Sequence, residues 1–411
     1  MATMNFEYRL YPTADQAAEM LAWLDICKRV YNYALAERRD WIASRKCRIN
    51  ACSLKHEYII PVDTPYPDLH KQSAALTRAK KTNPELKIVD AQVLQQILRQ
   101  VDGAFVNMQK RGGGFPRFKK RLKSFCFPQF KTNPIGIGTI KLPHFKYVRI
   151  VMHRPIPEGF TVKQVRIVKK ASGWYAVVAI QSEVVLPTVQ PHGFPIGIDV
   201  GLNHFVATSE GELVERPKFF VDSQHKLKKL NRRAAKKQKG SKNQLKAFQK
   251  VARHHEHVAN QRKQYHYAIA HKLCDQAGML FAESLNIKGM ASGMLAKHIL
   301  DAGWSQFLSI LAWVCKRRGV YFAKVSAYGS SQECPECGSE VCKDLSVRMH
   351  DCPECDYIAH RDVATSQVVR NRGLAALGIG VREACGGNES TRPKKQEILN
   401  REVRMLLAQG Q

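Results

Sequence analysis

The stretch Phe194-Pro-Ile-Gly-Ile-Asp-Val-Gly-Leu-Asn-His-Phe-Val-Ala-Thr-Ser-Glu-Gly211 decides how the rest of the chain is read. Ile196, Ile198 and Val200 are β-branched. Phe205, Val206 and Ala207 open a return run, and Ser209-Glu210-Gly211 closes it with a turn signal. The segment therefore predicts two strands joined by a short turn. One carboxylate, Asp199, falls inside the first strand. A charge in a buried strand is costly unless it is paired or binds a metal, so Asp199 is either salt-bridged at a strand end or a ligand. Gly197 and Gly201 flank it without side chains, which leaves room for a ligand close to the backbone.

The chain has 411 residues, a length that suggests about two to four domains. Lysine and arginine number 65 against 35 acids, a net charge of +30. That excess points to a polyanionic partner. No apolar run approaches the roughly 18 residues of a membrane span, and the N-terminus has no h-region, so neither a membrane nor export is expected. Four of the twelve cysteines form Cys334-Pro-Glu-Cys337 and Cys352-Pro-Glu-Cys355, separated by fourteen residues. Two such turns present four thiolates, the ligand set of a structural zinc ribbon. No histidine completes an open catalytic zinc site, and Cys342 has the wrong spacing. Cys27, Cys47, Cys52, Cys126, Cys274, Cys315 and Cys385 read as ordinary thiols.

Met4–Tyr11 alternates like a strand, and Thr13 with Gln16 forms a capping box before an apolar stripe of Met20, Leu24, Cys27, Tyr31 and Ala34. Residues 50–83 carry Pro61, Pro65 and Pro67, with Pro84 directly after them, and read as irregular. A second helix is predicted from about Val89 to Lys110. Gly112-Gly-Gly-Phe-Pro-Arg-Phe-Lys-Lys-Arg121 interleaves basic and aromatic residues, which suits a loop gripping a nucleic-acid backbone through Arg117, Phe118, Lys119 and Lys120. Residues 125–185 predict a small β-rich domain. Residues 224–263 hold fourteen lysines and arginines and one acid, Glu256, on two predicted helices broken near Gly240. Such a run repels itself unless phosphates neutralise it, which nominates Lys228, Lys229, Arg232, Arg233, Lys236 and Lys237 as nucleic-acid contacts. Gly278–Leu285 reads as a strand carrying Glu283, Trp304–Arg318 as a helix and Val320–Ser326 as a strand. His360-Arg-Asp362 starts another helix, and from about Gly373 the chain reads as a mobile tail.

Asp199, Glu283 and Asp362 are far apart in sequence and only a fold can gather them. Hairpin, basic helices, strand, helix, strand and acidic helix is the order of an RNase H-like nuclease core. There, three acids hold two divalent ions that activate water and stabilise a leaving oxygen, and Mg²⁺ suits oxygen ligands.

The chain resembles the TnpB family of transposon-encoded RNA-guided nucleases, relatives of the type V CRISPR effectors. The matching residues are Tyr8-Arg-Leu-Tyr-Pro12, Gly114-Phe-Pro-Arg-Phe-Lys119, Gly197-Ile-Asp-Val-Gly201, Glu283-Ser-Leu285, Asp301-Ala-Gly-Trp304, the segment from Ser331 through Cys334 and Cys337 to Gly338, and Arg361-Asp362. The resemblance implies a multidomain α/β fold. A β-rich wedge domain would span 1–12 and 113–190, and a helical recognition domain 13–112. A RuvC nuclease domain would span 191–330 and 359–375, interrupted by a zinc-ribbon insert at 331–358 that binds target nucleic acid, with a mobile tail at 376–411. It also implies a guide RNA from the transposon end, a double-stranded DNA target beside a short flanking motif, and a prokaryotic cytoplasmic protein associated with the nucleoid when bound. Nothing in it calls for a protein oligomer. Asp199, Glu283 and Asp362 align with the family's acidic triad and would be catalytic and bind Mg²⁺. Arg348 matches an arginine that would hold the scissile phosphate. At the third acid this chain departs from the family: His360, Ala364 and Val368 stand where Asp, Asn and Asn are frequent. Two other functions share the pattern, an RNA-guided repressor that does not cut and a DNA transposase or its accessory protein. A dead relative is expected to lose one of the three acids, and all three are present.

Overall fold

The alternation over Met4–Tyr11 is part of a ten-residue strand, β1 (Ala2–Tyr11), in a computed structural model of the chain. Residues 2–46, 60–61, 63–130, 132–183, 188–344 and 346–380 are described. They divide into two units, one ending at residue 183 and one starting at residue 188.

In the first unit the capping box forms. The Thr13 N–H donates to Gln16 Oε1 at 3.1 Å and the Gln16 N–H donates to Thr13 Oγ1 at 3.3 Å, opening α1 (Ala14–Lys46). The irregular stretch expected over 50–83 contains a helix, α2 (Leu69–Thr82), capped by the Asp68 carboxylate, which accepts from the Lys71 N–H at 2.8 Å. Its neighbour is the short α3 (Pro84–Ile88). Pro84 misleads as a breaker because it stands in the first helical turn, where its missing N–H costs nothing. In α4 (Ala91–Arg111) Val93, Ile97, Val101 and Phe105 are buried, the stripe that the sequence shows. The buried Arg38 ties three helices together, with Nε donating to Gln72 Oε1 at 3.0 Å and Nη1 to Asp102 Oδ1 at 2.9 Å. Strands β2 (Ser124–Phe127), β3 (Ile135–Gly136), β4 (Thr139–Leu142), β5 (Lys146–Val151), β6 (Thr161–Lys169) and β7 (Trp174–Ser182) complete an antiparallel sheet in the order β2-β6-β7-β1-β5-β4-β3. β1 lies between β7 and β5, so the helices form an excursion between two strands of one sheet. Trp23 of α1 packs on Phe125 and Phe127 of that sheet and on Phe145 in the turn between β4 and β5.

The second unit begins with the quoted stretch. β8 (Pro195–Asp199) and β9 (His204–Thr208) pair antiparallel, and β9 continues into β10 (Leu213–Glu215), a three-residue strand too short to read from sequence. The basic helices are α5 (Phe219–Ala235) and α6 (Lys242–Gln276). Then come β11 (Met279–Glu283), the short α7 (Ile287–Met290) and α8 (Ala296–Ala302), α9 (Trp304–Arg318) and β12 (Tyr321–Val325). A small hairpin, β13 (Met349–Asp351) with β14 (Ile358–His360), leads into α10 (Arg361–Ala375). The sheet order is β10-β9-β8-β11-β12, with β11 parallel to both β8 and β12. β11 is buried throughout. Leu280 joins the core with Phe205, Phe307 and Leu311, while Met279 and Phe281 join Val369 and Leu374 of α10. Parallel strands are covered on both faces in this way.

Two glycines make this packing possible. A Cβ on Gly197 would lie 2.0 Å from the Ser366 carbonyl oxygen and 2.6 Å from the Arg370 nitrogen, so the space over Gly197 is filled by α10 and not by the ligand that the sequence suggested. Gly303, at φ +68, ends α8 and starts α9. Its neighbours explain the Asp301-Ala-Gly-Trp304 motif. Trp304 is buried, and Asp301 caps α5 by accepting from the Phe220 and Val221 N–H groups at 2.8 and 3.3 Å. The tail expected from Gly373 starts later, since α10 runs to Ala375 with Leu374 buried. Of the 376–411 tail, residues 381–411 lie outside the described residues, as do Cys47, Cys52 and Cys385.

Gly197→Ala should therefore destabilise the chain by about 1–3 kcal/mol through overpacking, read from the midpoint of denaturant unfolding. An unchanged midpoint would mean that α10 does not sit on β8 as described.

Candidate active site

Asp199 is the last residue of β8 and Glu283 the last of β11. The parallel register pairs Ala282 with Ile198, so both carboxylates leave the sheet at the same, C-terminal end of the two strands. α10 crosses β8 over Gly197 and delivers Asp362 from its first turn. Burial pushes the Asp199 carboxyl well above the ordinary carboxylate range, and the charges of Glu283 and Asp362 push it further. Glu283 is also raised by burial, against which the Ser330 hydroxyl and the Arg372 guanidinium act. The fold thus brings together three acids from three separate elements.

Glu283 and Asp362 are held in different ways. Ser330 Oγ donates to Glu283 Oε1 at 2.5 Å. His204 Nδ1 lies 3.3 Å from Asp362 Oδ2. The N–H of Asp362 donates to His360 Nδ1 at 3.3 Å, which makes His360 the N-cap residue of α10. An Asp cap would make the same bond, so this departure from the family leaves the helix start intact. Ala364 and Val368 are buried. His204, His360 and Asp362 place one potential ligand atom each within 4.8 Å of one another.

Arg348 stands beside the turn that follows Asp199. With the Asn203 amide oriented to satisfy both of its atoms, Asn203 Oδ1 accepts from Arg348 Nη2, Nη1 and Nε at 2.9, 3.0 and 3.2 Å. The Arg348 carbonyl accepts from the Arg361 N–H at 2.7 Å. Sequence reasoning missed Asn203, His204 and Ser330. The first two lie inside the quoted hairpin, but a polar turn residue carries no spacing signal.

The four thiols Cys334, Cys337, Cys352 and Cys355 lie within 4.8 Å of one another, while Cys342 is outside the group. The Sγ separations Cys334–Cys355 and Cys337–Cys352 are both 3.6 Å, too long for a disulfide. They are close to the edge of a tetrahedron with metal–sulfur bonds of about 2.3 Å, so this donor set fits zinc. Lys228, Lys229, Arg232, Arg233, Lys236 and Lys237 are all exposed on or just after α5, and none has an ion-pair partner among the described residues. In the first unit, Arg117, Phe118, Lys119 and Lys120 are exposed. The Asn32 side chain braces the backbone of Lys119 through bonds of 2.8 and 3.0 Å, and Arg39 lies over the Phe118 ring at 4.8 Å. No helix among the described residues is long and apolar enough to cross a membrane.

Comparison with known proteins adds the following. A family profile described as a probable transposase, OrfB_IS605, matches residues 176–293. One described as a Cas12f1-like TNB domain matches 304–369. A helix-turn-helix profile matches 1–47, where the structure has one strand and one 33-residue helix. The chain is 30% identical over 400 residues, 95% of its length and 92% of the relative's, to a Streptomyces pristinaespiralis protein named "Putative RNA-guided DNA endonuclease". It is 28% identical over 414 residues, 95% of its length and 96% of the relative's, to the Escherichia coli protein named "Putative RNA-guided DNA endonuclease InsQ". A Cas12f1–sgRNA–target DNA complex shares the mixed α/β fold, with a TM-score of 0.53 at 12% identity over 88% of this chain and 84% of that one.

The raised carboxyls have a consequence for stability. The metal-free folded chain keeps protons that the unfolded chain releases, so its stability falls as pH rises from the ordinary carboxylate value of about 4 through the raised values. A divalent ion held among these acids would offset that loss. The gain in Tm on adding Mg²⁺ should therefore be larger at about pH 8 than at about pH 5. Asp199→Asn should raise the metal-free Tm and abolish the pH-dependent gain; an equal Mg²⁺ gain in this variant would show that the acids do not act together.

Proposed function

The chain belongs to the TnpB family, and from that premise we propose that it is an RNA-guided DNA endonuclease of transposon origin that hydrolyses DNA at the Asp199–Glu283–Asp362 site. The observation that carries the reading is the convergence of these carboxylates at the C-terminal ends of β8 and β11 and the start of α10. Their donor set, all oxygen and strongly anionic, fits Mg²⁺. Bound there, a pair of such ions supplies an activated water and stabilises the leaving oxygen.

The remaining work falls to the chain's own residues. Asp199, Glu283 and Asp362 hold the ions. Ser330 fixes the rotamer of Glu283, and His204 fixes that of Asp362. Arg348, bonded to Asn203 in the turn that follows Asp199, takes a phosphate oxygen of the scissile bond. The cationic stripe of α5 binds the nucleic-acid backbone and carries no sequence information. Sequence is read by pairing between guide RNA and target, with the protein reading a short flanking motif and the shape of the heteroduplex. The guide comes from the transposon end. The Cys334–Cys337–Cys352–Cys355 cluster takes a structural zinc and presents a target-binding insert. The first unit supplies the wedge and recognition domains, with Arg117, Phe118, Lys119 and Lys120 gripping the nucleic-acid backbone. The protein works in the cytoplasm, on the nucleoid.

Asp199→Ala should reduce guide-directed cleavage by at least about 10³-fold while leaving guide-dependent binding of target DNA within about threefold. Gel shift and cleavage assays on one RNA–protein preparation separate the two. Cleavage by Asp199→Ala at the wild-type rate would remove the Asp199 site assignment, and guide-dependent binding without cleavage by the wild-type chain would leave the repressor. Replacing Lys228, Lys229, Arg232 and Arg233 with glutamine should lower the slope of log affinity against log salt by roughly one per lost phosphate contact. An unchanged slope would place the nucleic acid elsewhere.

A further inference from the structure

One arginine outside the acidic triad makes more bonds than helix packing needs. Arg372, in the last turn of α10, donates from Nη2 and Nε to Glu333 Oε2 at 2.5 and 3.1 Å. From Nη1 it donates to the carbonyl oxygens of Ser326 and Tyr328, each at 2.8 Å. All three partners belong to the segment 326–333 that links β12 to the first thiol pair. That same segment carries Ser330, which is buried and donates to Glu283. The helix makes two further attachments to the thiol cluster's turns. Asn371 Nδ2 donates to the Pro335 carbonyl at 2.8 Å, and Gln367 Oε1 accepts from the Tyr357 hydroxyl at 2.5 Å. Both thiol-bearing turns are thus tied to the helix that supplies Asp362.

We propose that Arg372 is a positioning residue for the nuclease site. It clamps the 326–333 segment so that Ser330 fixes Glu283, and it thereby couples the thiol cluster to the divalent-ion site. A planar fork that reaches one carboxylate and two carbonyls holds this segment in one conformation, and a lysine, with a single point of donation, cannot reach all three. Without the clamp the Ser330 hydroxyl has a second acceptor at hand, the Ala327 carbonyl at 3.1 Å, so it can leave Glu283 without losing a bond. Glu283 then samples other rotamers, and an ion at the site loses one preorganised oxygen. Groups that orient metal ligands are typically worth about 10- to 100-fold in metal affinity.

The inference rests on the reading that these acids bind divalent ions, and its test separates the two. Mn²⁺ binding to the full chain is followed by electron paramagnetic resonance, alongside zinc content by mass spectrometry and Tm without added Mn²⁺. In wild type the high-affinity Mn²⁺ should vanish with Asp199→Ala; if wild type binds none, the site reading fails and not the clamp. Arg372→Met should weaken Mn²⁺ about tenfold with zinc still near one per chain. Arg372→Lys should recover little of that loss. Ser330→Ala should weaken Mn²⁺ similarly, and the double variant should be no weaker than the stronger single one, because the two act on one bond. Should Arg372→Met fail to fold, Glu333→Gln removes the charged half of the clamp and should give the same loss at reduced size. Mn²⁺ affinity within twofold of wild type in either folded variant, or fully additive losses in the double variant, would overturn the proposal.

Discussion

Three carboxylates sit where the fold has removed most of their water, and everything else in the second unit accommodates that fact. Burial and mutual repulsion both oppose ionisation of Asp199. The hydrogen-bonding partners around the acids are a hydroxyl on Glu283, an imidazole beside Asp362 and a backbone N–H near Asp199. None of these cancels the charge; each only directs it. A lysine or arginine bonded to each acid would stabilise the empty chain and fill the place a cation needs. The free energy that holds the acids together therefore comes from apolar burial on both faces of β11 and from the packing of α10.

α10 shows how one helix serves several demands. Asp362, Ser366, Val369 and Gly373 recur at intervals of four, three and four residues, so they share one face and meet the sheet. On that face lie an acid, a backbone segment seated on Gly197, a core valine and a position with no side chain. Gln367 and Asn371, four residues apart, form a neighbouring stripe that meets the thiol-bearing turns. A helix is stiff along its axis, so acid, core and thiol cluster keep fixed separations. Sequence distance between these functions is irrelevant once they are written on one helix.

This explains what could and could not be read from the sequence. The strands of the hairpin, the capping box at Thr13 and the four cysteines announce themselves, because each is a local pattern with a local cause. The three acids were legible only as a set in the right order along alternating elements. Asn203, His204, Ser330 and Arg372 were not legible. Their roles depend on which side chain arrives opposite them from far along the chain, and a polar residue in a turn or on a helix looks the same with or without a partner. Gly197 misled for a related reason: the sequence shows that something must approach the backbone, and only the fold shows that it is α10. Pro84 misled because the residue that breaks a helix interior also starts one.

The net charge of +30 is the mirror image of the acidic site. On and just after α5, Lys228, Lys229, Arg232, Arg233, Lys236 and Lys237 fall at positions i, i+1, i+4, i+5, i+8 and i+9, opposite the buried Leu227 and Ala234. Like charges four residues apart each cost an isolated helix roughly 0.2–0.5 kcal/mol, and this stripe contains several such pairs. The helix survives because its apolar face is packed and because Asp301, a carboxylate from another element, caps its N-terminus. Both unbalanced regions keep their charge by borrowing stability from the core. An excess of anions needs cations, and an excess of cations needs a polyanion. A folded chain that leaves both excesses in place gains stability by mass action from each ligand that neutralises one of them. On the proposed function, its two charge imbalances are thermodynamic commitments to a divalent ion and to a nucleic acid, written into the same unit.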